Sequence, residues 1–109
     1  MNKEENPLNA PTSDSIRKGE LSISELSDSG ATFIFWSDNP EVHIDAAYIR
    51  YDGTQSEINR QVGNQNKIIL PVSKATVKGW LGKKLYAQCI GTLGEWQHTS
   101  PPTHFTVVP

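Results

Sequence analysis

Apolar and polar residues alternate along most of the chain from Gly19 onward, which is the period of half-buried β-strands. Leu21 and Ile23 alternate with polar neighbours, whereas residues 31–36 are almost continuously apolar, aromatic or β-branched, as in a central strand. The pattern predicts strands at 20–24, 31–36, 45–51, 55–62, 67–70, 83–90 and 103–108. Strands of this length at intervals of about ten residues predict an all-β sandwich of about seven antiparallel strands in two sheets.

Glycine, proline and aspartate mark the ends of the predicted strands. Asp52-Gly53 is a strong hairpin signal, because these residue types tolerate the positive φ of a tight turn. Pro71 is expected to end its strand, and Pro101-Pro102 indicates that the final strand lies at a sheet edge, where a missing amide donor costs nothing. Residues 73–80 fit neither period, so we expect a corner with a short helical turn there.

The first 18 residues differ in composition from the rest of the chain. They include two prolines and several asparagines and serines, with only Leu8 and Ile16 as sizeable apolar side chains after the initial methionine. Such a segment buries too little surface to offset the entropy lost on ordering it. We therefore expect residues 1–18 to form a flexible linker or N-terminal extension and residues 19–109 to form the folded domain.

The length and charge of the chain restrict its class. At 109 residues it corresponds to one domain. A formal charge of −2 gives no basic field to attract nucleic acid or anionic lipid, and no apolar run is long enough to span a membrane. The first residues lack the apolar block of a secretory signal peptide. We therefore expect no nucleic-acid partner and no membrane insertion, and the chain is either cytoplasmic or one module of a longer protein.

The chain has one cysteine and three histidines. Because Cys89 is the only cysteine in the sequence, the chain cannot form an internal disulfide. Its place in the middle of a predicted strand is typical of a buried structural thiol. His98 and His104 flank a double proline and can approach each other across a loop, but neither they nor His43 stand at a metal-ligand spacing. We expect ordinary surface histidines and no bound metal.

Carboxylates are scattered singly, mostly at predicted turns. Asp38, Glu41 and Asp45 come nearest to a calcium loop, but they lack its alternating aspartates, so solvated turn residues are the favoured interpretation. The chain also lacks a nucleophile elbow, a phosphate-binding loop and a dinucleotide fingerprint. We therefore expect no catalytic residue, no cofactor and no enzymatic activity.

The tryptophans are the main candidates for binding. Trp36 ends an apolar strand and is expected in the core. Trp80 and Trp96 lie in connections bordered by glycines, where an indole either stacks on a sugar, anchors a protein partner or caps one end of a sandwich. The cap is the favoured interpretation, and Trp80 with Trp96 forms the candidate site if the domain binds a ligand directly.

Several short motifs occur in a familiar order along residues 19–109. They are Gly19-Glu20-Leu21, Trp36, Leu70-Pro71, Gly82, Ser100-Pro101 and Val107-Val108. Their order resembles that of the immunoglobulin-like modules repeated in surface and secreted proteins of Gram-negative bacteria, and more loosely that of fibronectin type III domains. Two features depart from true immunoglobulin domains, because Cys89 has no partner and Ala87 stands where a tyrosine corner would have its tyrosine.

The resemblance implies a non-catalytic module of a larger bacterial surface or secreted protein, which spaces or presents other domains or adheres to a target. The partners it implies are neighbouring domains and, for direct binding, a host protein or a glycan; the module is expected to be monomeric. Two alternatives stay open at this point. One is a carbohydrate-binding accessory module that uses Trp80 and Trp96, and the other is a free-standing cytoplasmic or phage structural protein.

Overall fold

The computed structural model describes residues 6–51, 56–61 and 65–109, which form a mostly β fold, as predicted. Their strands are β1 (Ile16–Arg17), β2 (Glu20–Ser22), β3 (Ala31–Trp36), β4 (His43–Tyr51), β5 (Ser56–Gln61), β6 (Lys67–Val72), β7 (Lys84–Leu93), β8 (Trp96–Thr99) and β9 (Thr103–Val108). A 3-10 turn (Ile23–Glu25) follows β2, and the helix α1 (Lys74–Lys78) connects β6 to β7. Neither of these helical segments has the length and apolar character needed to cross a membrane.

The strands form two sheets of unequal size. The larger sheet has the order β1-β2-β9-β7-β4-β5, with β8 also paired to β7, and the smaller sheet consists of β3 and β6. Because β4 pairs along nearly all of one side of β7, β8 and β9 share its other side, β9 near Lys84 and β8 near Leu93. The outer edge of β3 carries a further short pairing with Thr12.

The core lies between the two sheets and follows the alternation of the strands. Leu85, Ala87 and Cys89 on β7 are fully buried, while the residues between them point to the opposite face of the sheet. From the smaller sheet, Phe33 contacts Phe105 of β9 with ring centroids 5.5 Å apart. Aromatic contact across the sheets thus adds to the apolar burial that holds them together.

The final strand occupies a different position from the one predicted. β9 lies between β2 and β7 rather than at an edge, and its pairing with β2 is parallel, so the sheet is mixed rather than wholly antiparallel. Pro101 and Pro102 did not indicate an edge, because they precede the first paired residue, Thr103, and remove no donor from the ladder.

Pro71 lies inside β6 instead of ending it. The strand continues to Val72, and Pro71 stands opposite Thr32 of β3. Ile34 exchanges both backbone hydrogen bonds with Thr12 on the far side of β3, so its pair with Ile69 is not hydrogen-bonded. Two residues along the ladder, the Thr32–Pro71 pair is likewise not hydrogen-bonded, and no amide donor is needed there.

The part of the predicted linker that the structure describes packs against the two sheets. Leu8 is 2% exposed and Pro11 is fully buried, and the amide of Asn9 donates to the carbonyl of Trp36 at 3.1 Å. Thr12 pairs with Ile34. The expectation of a flexible linker is therefore corrected for residues 7–17, where an extended segment adds to the edge of β3 and β1 pairs with β2; residues 1–5 lie outside the described residues.

The corner expected at residues 73–80 is confirmed. Ser73 caps α1, because its hydroxyl oxygen accepts a hydrogen bond from the amide of Thr76 at 3.1 Å. A hairpin that the sequence pattern did not predict joins β1 to β2, with Lys18 and Gly19 both at positive φ (53° and 78°), as a type I′ turn requires. The predicted turn at Asp52-Gly53 lies outside the described residues.

Candidate functional site

The two tryptophans of the predicted site lie far apart. Trp80 is 2% exposed and its ring centroid lies 6.4 Å from that of Phe105, whereas Trp96 is 73% exposed at the turn between β7 and β8. Phe105, which Trp80 contacts, pairs with Leu85 at the start of β7, whereas Trp96 pairs with Leu93, the last residue of that strand. The stretch of β7 from Leu85 to Leu93 therefore separates the two indoles by about 26 Å, at about 3.3 Å per residue. Trp80 therefore caps the core, and the two indoles do not form one ligand platform.

Trp36 lies at the surface of the smaller sheet rather than in the core. The side chains of β3 alternate, so Phe33 and Phe35 point inward and Trp36 is half-buried on the outer face. Ile69, 56% exposed, is on the same outer face. The prediction that Trp36 is a core residue is wrong. Both faces of the six-residue run carry large apolar side chains, and the face with Phe33 and Phe35 is the one that packs in the core.

The histidines and carboxylates with candidate metal chemistry are separated. His98 pairs with Gly91 on the inward-facing row of β7, whereas His104 pairs with the outward-facing Tyr86, so these imidazoles lie on opposite faces of the sheet. Asp45 accepts a hydrogen bond from the hydroxyl of Thr92 at 2.6 Å. Within residues 6–51, 56–61 and 65–109, no three histidine, cysteine, aspartate or glutamate side chains are grouped to hold a metal ion.

Cys89 is buried, as predicted, and belongs to the core. Its backbone amide donates to the hydroxyl of the buried Ser100 at 2.9 Å, and its carbonyl accepts from the amide of Ser100 at 2.8 Å. Burial raises the pKa of the Cys89 thiol, and a separate side-chain interaction of the thiol with Ser100 opposes that rise. A buried, protonated thiol is a poor nucleophile, so this residue fills space rather than reacting.

A thiol reagent should therefore modify Cys89 slowly in the native protein and quickly in guanidinium chloride. Because the raised pKa lowers the thiolate fraction, native modification should stay far slower than that of glutathione at the same pH. Cys89→Ser should cost about 1–3 kcal/mol of stability by burying a hydroxyl. The absorbance of released thionitrobenzoate measures the rates, and native modification as fast as that of glutathione would contradict the assignment.

The outward-facing side of the larger sheet carries the most chemically diverse side chains that the structure describes. On β7 these are Tyr86 and Gln88, on β4 Tyr48 and Arg50, and on β9 His104. The register places Tyr48 opposite Gln88, and it places Arg50 and His104 on either side of Tyr86. We call this group of five residues the sheet face. Its members come from three adjacent strands, so the ladder itself fixes their spacing.

Hydrogen bonds hold one half of the sheet face rigid. The hydroxyl of Tyr48 donates to the Oε1 atom of Gln88 at 2.9 Å, and the Nε2 atom of Gln88 donates to the carbonyl of Ser100 at 2.8 Å. The guanidinium carbon of Arg50 lies 3.9 Å from the ring centroid of Tyr48, a cation–π contact. Tyr48 is only 3% exposed despite its outward position, and this burial raises its pKa while Arg50 opposes the rise.

The other half of the sheet face is more open. The rings of Tyr86 and His104 are 5.7 Å apart and tilted by 43°, with Tyr86 half-buried and His104 exposed. A shallow depression continues from His104 toward the β1–β2 turn, and it is lined by Gly19, Lys84, Leu85, His104, Phe105 and Thr106. Since Lys84 and Tyr86 are two residues apart on one strand, the ammonium group and the phenol project from the same face.

The sheet face combines the aromatic surface of two tyrosines, a guanidinium group, an imidazole and an immobilised amide, all of which can contact a ligand. The alternation along β7 puts Tyr86 and Gln88 on one face of that strand, but the sequence contains no register that would add Arg50 or His104. The alternation of side chains in β4, β7 and β9 is the only sequence signal for this surface. The glycine-bordered tryptophans instead predicted a site in the connections between strands.

Comparison of the chain with protein-family models, with curated proteins and with solved structures finds no match. The resemblance to bacterial immunoglobulin-like modules therefore stays a prediction from the motifs quoted above.

Proposed function

We propose that the chain is a non-catalytic, immunoglobulin-like β-sandwich module of a larger bacterial surface or secreted protein, where it spaces or presents neighbouring domains. The β-rich fold with its core between two sheets is compatible with such a sandwich, although its larger sheet is mixed. The observation that carries the proposal is the position of the two chain ends relative to the strands.

The first described residues lie beside the far end of β7. The side-chain amide of Asn6 donates to the carbonyl of Thr99 at 2.6 Å, and Thr99 pairs with Ile90. A methyl carbon of Leu8 lies 3.2 Å from the point that a β-carbon on Gly91 would occupy. The chain thus enters the fold near the β7–β8 hairpin.

The last residue lies at the opposite end of the larger sheet. The carbonyl of Pro109 accepts a hydrogen bond from the hydroxyl of Ser22 at 2.8 Å, and β9 leaves its pairing with β7 at Lys84 before reaching that point. From Ile90 to Lys84 and on to Pro109 the path follows extended strands for about 30 Å. Entry and exit at opposite ends are what a spacer needs, because successive modules then add their lengths.

A tandem fusion of two copies, joined from Pro109 to the next Met1, should be extended in solution. The longest dimension of one copy is 45 Å, and small-angle X-ray scattering should give the fusion a maximum dimension of about twice that value. The single chain is the matched control. A fusion that folds back side by side, with the maximum dimension of one copy and a doubled cross-section, would contradict the spacer role.

A second function, carbohydrate binding, is favoured by one observation. The sheet face offers a half-buried tyrosine flanked by a histidine and an arginine, whereas the pair Trp80 and Trp96 is divided between the two ends of the fold. If the domain binds a glycan, we place the contact on the sheet face and not on the tryptophans.

A further inference from the structure

Residues 6–12, where the described chain begins, form an extended segment beside the outer edge of β3, and we call them the entry segment. The amide of Asn9 donates to the carbonyl of Trp36 at 3.1 Å. Thr12 and Ile34 exchange two backbone hydrogen bonds, of 3.0 and 2.8 Å. These three backbone hydrogen bonds join the entry segment to the smaller sheet.

The entry segment is also attached to the final strand of the larger sheet and to the core. The hydroxyl of Thr103, the first residue of β9, donates to the carbonyl of Pro11. Pro11 is fully buried, and Leu8, 2% exposed, belongs to the apolar core. The entry segment thus bridges the two sheets, and it cannot move without disturbing buried side chains.

The entry segment runs in the same direction as β9. Leu8 lies beside Gly91, close to the last residue of β7, with 3.2 Å between a methyl carbon of Leu8 and the position of a β-carbon on Gly91. Pro11 lies beside Thr103, which pairs with Ala87 nearer the start of β7. From there β9 continues toward the start of β7 and leaves the fold beyond it. The chain therefore enters at one end of this pair of segments and leaves at the other.

Tension between the two chain ends pulls the entry segment and β9 in opposite directions along their own axes. Hydrogen bonds between antiparallel strands, such as those between the entry segment and β3, lie perpendicular to the strands. A pull along the strands therefore stretches these bonds together, whereas a sideways pull breaks them one at a time. The buried side chains of Leu8 and Pro11 add to the resistance, because the close-packed core must open before they can slide.

The exit end of β9 is held in the same way. β2 lies beside β9 in parallel, and the amide of Thr106 donates to the carbonyl of Gly19 at 2.9 Å. The carbonyl of Pro109 accepts hydrogen bonds from the hydroxyl of Ser22 at 2.8 Å and from the amide of Ser24 at 3.3 Å. A pull on the C-terminus is thus directed along β9 and acts on its pairing with β2 and β7 as a whole.

We propose that the chain bears tension between its two ends, and that the entry segment and β9 are the two segments that resist it. The proposal rests on the spacer role proposed above, because tension passes through a module that joins neighbours at both of its ends. It goes further by assigning the resistance to named contacts within one copy. Thr103 makes the central contact, since its hydroxyl links the two segments directly.

Optical-tweezers experiments on the full chain can apply the pull along these segments or across them. Both forms of the protein carry one handle at the N-terminus. The second handle is attached to a cysteine, which is either added after Pro109 or introduced by Glu95→Cys at the exposed turn between β7 and β8. Because Cys89 is buried, brief labelling of the native protein attaches the handle to the added cysteine.

The unfolding force should be clearly higher when the handles are at the two chain ends. Asn6 and Glu95 both lie toward the β7–β8 hairpin, since the side-chain amide of Asn6 donates to the carbonyl of Thr99. A pull between them peels the entry segment away from its first residue, so its bonds break in sequence. Equal forces with the two handle positions, or a higher force with Glu95→Cys, would overturn the proposal.

Two variants test the assigned contact at a constant force between the chain ends. Thr103→Val keeps the branched shape and removes the hydroxyl, and the loss of this hydrogen bond should raise the unfolding rate by about twofold to tenfold. Thr106→Val is the matched control, because Thr106 projects from the opposite face of β9, away from the entry segment, and the rate should change little. Equal rates in the two variants would overturn the role of Thr103 and the proposal with it. Circular dichroism shows whether Thr103→Val folds, and the comparison of handle positions decides the question if it does not.

The force measurements and the scattering of the tandem fusion can be told apart when either fails. An extended fusion with equal unfolding forces at the two handle positions would remove the tension-bearing role and leave the spacer role. A compact fusion would remove the spacer role and with it the source of tension, even if the single chain showed the difference in force.

Discussion

Leu8→Ala should lower the free energy of unfolding by about 2–5 kcal/mol, the usual cost of removing a fully buried leucine side chain. Leu8 is 2% exposed and belongs to the same apolar core as the residues of β3, β6 and β7. A loss of this size is a large share of the roughly 5–15 kcal/mol by which domains of this kind are stable. Chemical denaturation followed by circular dichroism measures it.

Leu81→Ala is the matched control, because Leu81 is 51% exposed and its replacement should change stability by about 0.5 kcal/mol or less.

Deleting residues 1–12 should have a larger effect than Leu8→Ala, since it also removes the buried Pro11 and the pairing of Thr12 with Ile34. We expect the melting temperature to fall by more than about 10 °C. If the deletion melted like the full chain, the N-terminal segment would contribute nothing to the fold.

The role of this segment could not be predicted from its composition. Averaged over 18 residues, the N-terminus is polar and proline-bearing, and that average hides two side chains that fit the core individually. What orders the segment is the free edge of β3, where the backbone groups of Ile34 would otherwise lack partners on that side. The partner strand lies more than twenty residues away, beyond the reach of any local pattern.

The positions of the strands along the chain could be predicted far better than the order in which the strands pair in the sheets. The bounds of β3 and β9 are those expected from the apolar and β-branched runs, because such runs depend on local backbone preference and burial. The parallel pairing of β9 with β2 joins residues that are more than eighty positions apart. The alternation of side chains in Thr103–Val108 does not indicate which strands will pair with β9, so the sequence pattern does not distinguish an edge strand from a central one.

The same limit applies to the candidate site. Alternation along β7 puts Lys84, Tyr86 and Gln88 on one face, and this much follows from the sequence. Their approach to Arg50 and His104 depends on two registers, one of which contains a shift between Ile44 and Ala46. A one-residue error in either register would turn those side chains to the other face.

The turn at residues 27–30 approaches the start of α1 so closely that one position excludes any side chain. Gly30 has a φ of +89°, and its amide donates to the carbonyl of Ser27 at 3.0 Å. A β-carbon on Gly30 would overlap the carbonyl oxygen of Val72 and would lie 2.8 Å from the backbone nitrogen of Lys74. These neighbours are backbone atoms of β6 and of the capped helix, so they cannot rotate away as a side chain would.

Gly30→Ala should therefore destabilise the protein by about 3–5 kcal/mol, adding a steric overlap to the strain of a positive φ. Gly82→Ala is the matched control, because Gly82 has a similar φ of +82° and a β-carbon added there would meet no other part of the fold within 4 Å. That variant should lose only about 1–2 kcal/mol, the cost of the backbone conformation alone.

Urea denaturation measures the free energy of unfolding of both variants. The difference between the two losses is the part of the cost that comes from the steric overlap of residue 30 with β6 and α1. Equal losses in the two variants would mean that the turn can move away from Val72 at little cost, and the contact between residue 30 and α1 would then not help to hold the smaller sheet in place.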